Sequence, residues 1–173
     1  MTHSVCKQMA LLQAPQIIVH NTGSDGSLRE AAMSLGKPAI TVEIGNPSSF
    51  QKTYIMHALQ GVENVLSYLG MLHESVETPE MFPTICVKSH WYYAEHGCTL
   101  QVKPTVNQWV KKGEVIAIVR NIFGDLVHRY VAEEDGVVIG RNVDPVCQSG
   151  DRLILLGTVG RDFAQRPTST KPH

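Results

Sequence analysis

QIIVHNTGSDGSLREAAMSLGKPAITVEIG, residues 16–45, decides how the first half of the chain is read. Residues 16–20 are a short apolar run of strand character, and residues 21–26 are a loop of glycine and small polar side chains. Helical spacing follows. Ser27 stands three residues before Glu30, a capping-box pair, and Leu28, Ala31, Ala32 and Leu35 share one face before Gly36 ends the helix. Pro38 then opens residues 38–45, where Ala39, Ile40, Val42 and Ile44 form a nearly continuous apolar strand, as expected of one covered on both faces. Glu43 interrupts that strand close to its carboxyl end, where open α/β sheets place their ligands. A carboxylate there is costly to bury unless it binds or reacts, which makes Glu43 the leading catalytic candidate. The alternative is an edge-strand glutamate with its head in water.

Working outward, residues 49–72 repeat apolar side chains at helical spacing, through Tyr54, Ile55, Ala58, Leu59, Val62, Val65, Leu66 and Leu69, with Gly61 read as a break between two helices. Two strands and three helices are expected in this half, an α/β layer. Residues 73–83 have two prolines, acidic groups and no period, which sets a domain boundary near residue 80. The stretch from 81 to 160 reads as short strands separated by glycine turns, a small all-β domain. Within it, WVKKGEVIAI at 109–118 matches VCQSGDRLIL at 146–155 as apolar-x-x-x-Gly-acidic-x-apolar-x-apolar, so two similar hairpins are implied, in the manner of a barrel-sandwich domain. Residues 161–173 have no core-forming pattern and are expected to be disordered.

Composition bounds the function without naming it. Lysine and arginine number 15 against 16 acidic residues, which gives no nucleic-acid footprint. No apolar stretch is long enough to span a bilayer, and the N-terminus lacks a signal-peptide pattern, so a soluble, cytoplasmic protein is expected. Cys6, Cys86, Cys98 and Cys147 form no C-x-x-C pair, which argues against a zinc ribbon or a disulfide scaffold.

Several strings occur together in one order. Residues 26–32 and 36–45 are similar to the G-S-L-R-x-A-A and G-x-P-A-x-T-x-E-x-G run of the succinylglutamate desuccinylase/aspartoacylase family. Residues 61–66 and 69–72 resemble its G-[IV]-x-N-[VL]-L and L-G-M-L helix, and the strings VKKGEVIA, GVVIG and GDRLILLG resemble its C-terminal β-domain. The resemblance runs over about residues 14–158. It implies the C-terminal portion of a zinc-dependent hydrolase with a carboxypeptidase-like α/β fold, deacylating N-acyl amino acids or similar small amides. It also implies Glu43 as the general base that takes a proton from zinc-bound water, a role such a carboxylate can perform.

The sequence departs from that family at the metal. No histidine has a glutamate three residues on, so the H-x-x-E zinc motif is missing and no metal ligand is assigned; zinc remains implied by the family. His20 resembles the third ligand in following an apolar strand, but it precedes Glu43 by only 23 residues, much less than in the family, and a strand-cap role is the alternative. Arg29 is a candidate for binding a substrate carboxylate through its planar fork, against a solvated helix residue. Trp91 and Tyr92, in the aromatic cluster at residues 90–93, are candidates for lining the substrate cleft, against a core or interface role.

Two other functional classes compete with this reading. A biotinyl-type carrier needs a lysine at an exposed hairpin tip, and there is none between Lys112 and Lys171. A non-catalytic module, one that forms a homo-oligomer or associates with a missing N-terminal half through an exposed sheet edge, is the stronger alternative.

Overall fold

The structure is a computed structural model that describes residues 3–21, 26–73, 75–76 and 82–160. The tail expected to be disordered, residues 161–173, lies outside the described residues, as do loop positions 22–25. The chain divides into two compact units, Met1–Pro83 and Thr84–His173.

The first unit contains helix α1 (Ser4–Leu12), strand β1 (Ile17–Val19), helix α2 (Leu28–Ser34) and helix α3 (Lys52–Tyr68). The Ser27 half of the α2 capping box forms as read, and the Glu30 carboxylate reaches one residue beyond the cap. The Glu30 N–H donates to Ser27 Oγ at 3.2 Å, and the Gly26 N–H donates to Glu30 Oε2 at 2.7 Å. Gly36, at φ 71°, closes the helix with the Lys37 N–H donating to the Ala32 carbonyl, a Schellman end that only a residue tolerant of positive φ makes cheaply.

Three expectations for this unit change. First, α1 was not anticipated. Second, α3 is continuous through Gly61. A Cβ at Gly61 would lie 3.0 Å from the Gln13 Cα, and the Gln13 side-chain amide donates to the Gly61 carbonyl at 2.9 Å. The glycine therefore marks the close approach of α3 to the segment after α1 and is not a helix break. Nearby, the buried Asn64 donates to the Leu12 carbonyl at 3.2 Å, satisfying a carbonyl at the end of α1. Third, residues 38–45 are not a strand, and Val42 and Ile44 are exposed. A strand covered on both faces depends on ladder partners at its sides, and the described residues give this segment none.

The second unit contains strands β2 (Thr84–Tyr93), β3 (Cys98–Val102), β4 (Trp109–Val110), β5 (Val115–Arg120), β6 (Leu126–Val131), β7 (Gly136–Arg141), β8 (Val146–Cys147) and β9 (Arg152–Val159). Its strands form two antiparallel sheets, ordered β2-β9-β7-β4 and β6-β5-β3-β8, and neither order closes on itself. The core lies between them, with Tyr92, Leu153, Ile154 and Leu156 from one sheet meeting Leu100, Ile116, Val119 and Tyr130 from the other.

The repeat seen in the sequence extends to the whole unit. Replacing β2, β9, β7 and β4 by β6, β5, β3 and β8 turns one sheet order into the other. The matching turns are built alike. Gly113 and Gly150 both take positive φ, Glu114 Oε2 accepts the Lys111 N–H, and Asp151 Oδ2 accepts the Gln148 N–H. A second repeat, His-x-Tyr-x-Ala-Glu at residues 90–95 and 128–133, joins the two halves. The Glu133 N–H donates to the Tyr92 hydroxyl at 2.8 Å, and the Glu95 N–H donates to the Tyr130 hydroxyl at 2.7 Å.

The two halves differ around their histidines. In the first, Lys88 Nζ lies 3.2 Å from Glu134 Oε2 and His90 Nδ1 lies 3.6 Å from Glu134 Oε1. Burial pushes the Glu134 carboxyl up, but the Lys88 hydrogen bond and the charges of Lys88 and His90 outweigh it and hold the group below the ordinary carboxylate range.

Tyr92→Phe and Tyr130→Phe are each expected to lower the unfolding free energy by about 1 kcal/mol in urea melts, the usual net contribution of one hydrogen bond. A loss at one position and none at the other would break the equivalence of the repeats. A carboxyl held low in the folded state stabilises above the ordinary carboxylate range, and that contribution disappears as pH falls through the folded value. Glu134→Gln is therefore expected to cost about 0.5 kcal/mol at neutral pH, discounted for exposure, and nothing at strongly acidic pH. The same cost at both pH values would contradict this assignment.

Candidate functional site

Glu43 sits in the irregular segment between α2 and α3 with its side chain exposed. The chain beyond it is anchored by Gln51, whose Oε1 accepts the Asn46 N–H at 2.6 Å. Gly45, at φ 72°, brings its backbone so close to that side chain that a Cβ would lie 2.6 Å from Gln51 Oε1. The strand end expected to present Glu43 is thus replaced by a turn fixed by a side chain. Upstream, the Ala39 N–H points at Met33 Sδ at 3.4 Å, tying the start of the segment to α2. Arg29 is half-buried on the first turn of α2. His20, after β1, is held below the ordinary imidazole range, first by burial and then by charges that include Lys7.

The second-unit candidates are two neighbours on β2 with opposite environments. Tyr92 is buried, its ring belongs to the core, and its hydroxyl holds the Glu133 amide. Burial pushes its phenol above the ordinary range. Trp91 is half-buried, with the Arg152 guanidinium carbon 5.1 Å from its ring centre. An open cleft of about 470 Å³ lies beside them, walled by His90, Trp91, Glu95, His128, Arg129 and Glu133 among others.

The zinc implied by the resemblance does not fit the first unit. Among the described residues, one group of three or more His, Cys, Asp or Glu side chains has its ligand atoms within 4.8 Å of one another, and neither Glu43 nor His20 belongs to it. No catalytic step is therefore derived through a metal. The cysteines supply no alternative centre. Cys6, Cys86 and Cys147 are buried, and burial pushes the Cys86 thiol up to about 11, far from a reactive thiolate.

That group is Glu95, His96 and His128, in the second unit, and sequence reasoning missed it. Its members are separated by up to 33 residues, and none of the familiar ligand spacings is present. The available signal was the His-x-Tyr-x-Ala-Glu repeat, whose first residue in one copy is His128 and whose last in the other is Glu95.

No protein-family model and no curated protein matches this sequence. Solved structures do match its fold. The product-bound ectoine utilization protein EutE (DoeB) from Ruegeria pomeroyi superposes with a TM-score of 0.82 at 22% identity, over 90% of this chain and 49% of that one. A succinylglutamate desuccinylase from Silicibacter sp. TM1040 gives 0.75 at 21% identity, over 92% and 51%. A succinylglutamate desuccinylase/aspartoacylase from Rhodobacter sphaeroides gives 0.76 at 13% identity, over 90% and 49%. The chain thus spans about half the length of these structures. Its fold is that of part of the succinylglutamate desuccinylase/aspartoacylase structures, consistent with their C-terminal portion.

Proposed function

We propose that this chain is the C-terminal portion of a zinc-dependent amide hydrolase that deacylates N-acyl amino acids or similar small amides, with Glu43 as its general base. The observation that carries the reading is the fold likeness over nine-tenths of the chain, taken with the family-like string that ends in Glu43-Ile44-Gly45. Fold likeness alone does not fix chemistry, so the weight falls on the residues. The carboxylate of Glu43 can take a proton from the attacking water and return it to the leaving amine. Arg29 supplies a guanidinium fork for a substrate carboxylate. Trp91 supplies an aromatic surface for substrate, with Tyr92 supporting it from the core. Zinc ligands are not among the described residues of the first unit, so in this reading the metal comes with another segment or chain. The barrel-sandwich description of the second unit also belongs to this proposal. Its support is the repeated strand-turn-strand units and the two sheets of matching order.

A second reading, a non-catalytic module that pairs with an N-terminal half or with itself, is favoured by the apolar side chains the first unit exposes. Leu28, Leu35 and Phe50 are 87%, 78% and 101% exposed.

Hydrolysis of N-acetyl amino acids, measured with added zinc and with the zinc-bearing segment or chain supplied, separates the two. Glu43→Gln is expected to lower turnover by at least about 100-fold, the usual contribution of a general base. Turnover that survives the substitution would remove Glu43 from the mechanism. No turnover from either protein, together with a dimer in sedimentation velocity, would favour the second reading.

A further inference from the structure

We propose that Glu95, His96 and His128 form a binding site for one divalent transition-metal ion, with zinc the best chemical match. The proposal is independent of the hydrolase reading, because it concerns only the second unit.

Geometry is the first support. One ligand atom from each of the three residues lies within 4.8 Å of the others. Donors on a tetrahedral zinc stand about 3.3 Å apart, given metal-donor bonds of about 2.0–2.1 Å, so a closure of about 1.5 Å is needed. Glu95 and His96 are exposed and can make that movement by side-chain rotation. The imidazoles are already placed. Their ring centres are 5.7 Å apart, against about 5 Å for two imidazoles on one tetrahedral ion.

The backbone carrying the ligands is fixed in advance. The Glu95 N–H is held by the Tyr130 hydroxyl, and the His96 carbonyl accepts from the Cys147 thiol at 3.7 Å. Gly97 lies so close to the next turn that a Cβ would come within 3.1 Å of the Cys147 carbonyl oxygen. His128 packs its ring on Tyr130 with centres 4.5 Å apart, which restricts the imidazole plane. The backbone and the His128 ring, held in this way, lose little freedom when an ion arrives, so the ordering cost falls on the Glu95 and His96 side chains.

The internal repeat provides the deciding comparison. His128, Glu95 and His96 correspond to His90, Glu133 and Glu134 of the other half. There Glu134 lies between the His90 imidazole, at 3.6 Å, and a cation supplied by the protein, the Lys88 ammonium, at 3.2 Å. The residue equivalent to Lys88 is Leu126, and the residue equivalent to Glu134 is His96. One half thus carries a lysine paired with a carboxylate. The other has no lysine at that position and has exchanged a carboxylate for an imidazole, a donor suited to zinc, copper or nickel and not to magnesium or calcium. Two histidines and a glutamate leave one tetrahedral position for water or an added anion.

The test is calorimetric titration of the purified full chain with zinc chloride, accompanied by thermal melts. One equivalent is expected to bind and to raise the Tm. His96→Ala and His128→Gln are each expected to weaken binding by at least about 100-fold, since loss of an outer-shell partner alone costs about 10- to 100-fold. His96 is exposed, so its replacement leaves the fold intact. Converting the site to its counterpart, with Leu126→Lys and His96→Glu together, should abolish zinc binding while the protein remains folded. His90→Ala and His20→Ala should leave zinc affinity within about twofold of the parent, because neither is a ligand in this site. Absence of zinc binding by the parent chain would overturn the proposal. So would binding that survives His96→Ala and His128→Gln, or binding that disappears with His20→Ala instead.

Discussion

Two tyrosine hydroxyls, each accepting the backbone N–H of a glutamate in the other repeat, are the constraint on which the second unit depends. Each lies three residues before the glutamate of its own repeat and is bonded to the glutamate of the other, so the two bonds cross between β2 and β6. Tyr92 and Tyr130 are both buried, and a buried amide without a partner costs more than a made bond gains. The crossing therefore fixes the relative register of the two strands and places the rings on either side of one core. It also determines where the chain goes next. Two residues after Tyr92 and Tyr130 stand Ala94 and Ala132, both buried, and each trades backbone bonds with the glycine-acidic turn of its matching hairpin.

The repeated turns continue the same arrangement outward. In each, a carboxylate caps a backbone N–H three residues earlier, and a glycine at positive φ completes the reversal. Because the local solution is repeated, the two sheets acquire the same strand order, and residues at equivalent positions meet equivalent surroundings. Differences between the halves are then informative. The Glu134–His90 pair and the His96–His128 pair occupy corresponding places, and sequence divergence at these points changes charge and donor type without changing the frame.

Much of this frame was legible in the sequence. Ser27, Glu30 and Gly36 announced α2 because capping and chain reversal are local chemistry, carried by residues adjacent in the chain. The hairpins around Gly113 and Gly150 were legible for the same reason. What failed depended on neighbours. Residues 38–45 have the composition of a covered strand, but composition cannot supply the ladder partner that makes a strand. Gly61 was read through its conformational freedom when its lack of a side chain was what mattered, and only the position of Gln13 reveals that. The ligand-forming histidines escaped because His96 and His128 lie 32 residues apart and meet through sheet pairing.

The contrast between the two units bears on what each can do. The second unit buries a full set of branched side chains, Ile116, Leu153, Ile154 and Leu156 among them, and holds its loops with backbone and side-chain bonds. Sites built on it inherit that rigidity, which is what metal coordination requires. The first unit buries few hydrophobic side chains among its described residues, Cys6, Leu12 and Ile18, and leaves Leu28, Leu35 and Phe50 in water. Glu43 is carried on that thinner support, in a segment fixed mainly by Gln51 and Met33. General-base catalysis depends on holding a carboxylate within hydrogen-bond reach of a water in one orientation. Covering the exposed apolar side chains of this unit with further protein surface would stiffen the segment that bears Glu43, so that completing the site and completing the core would be one physical event.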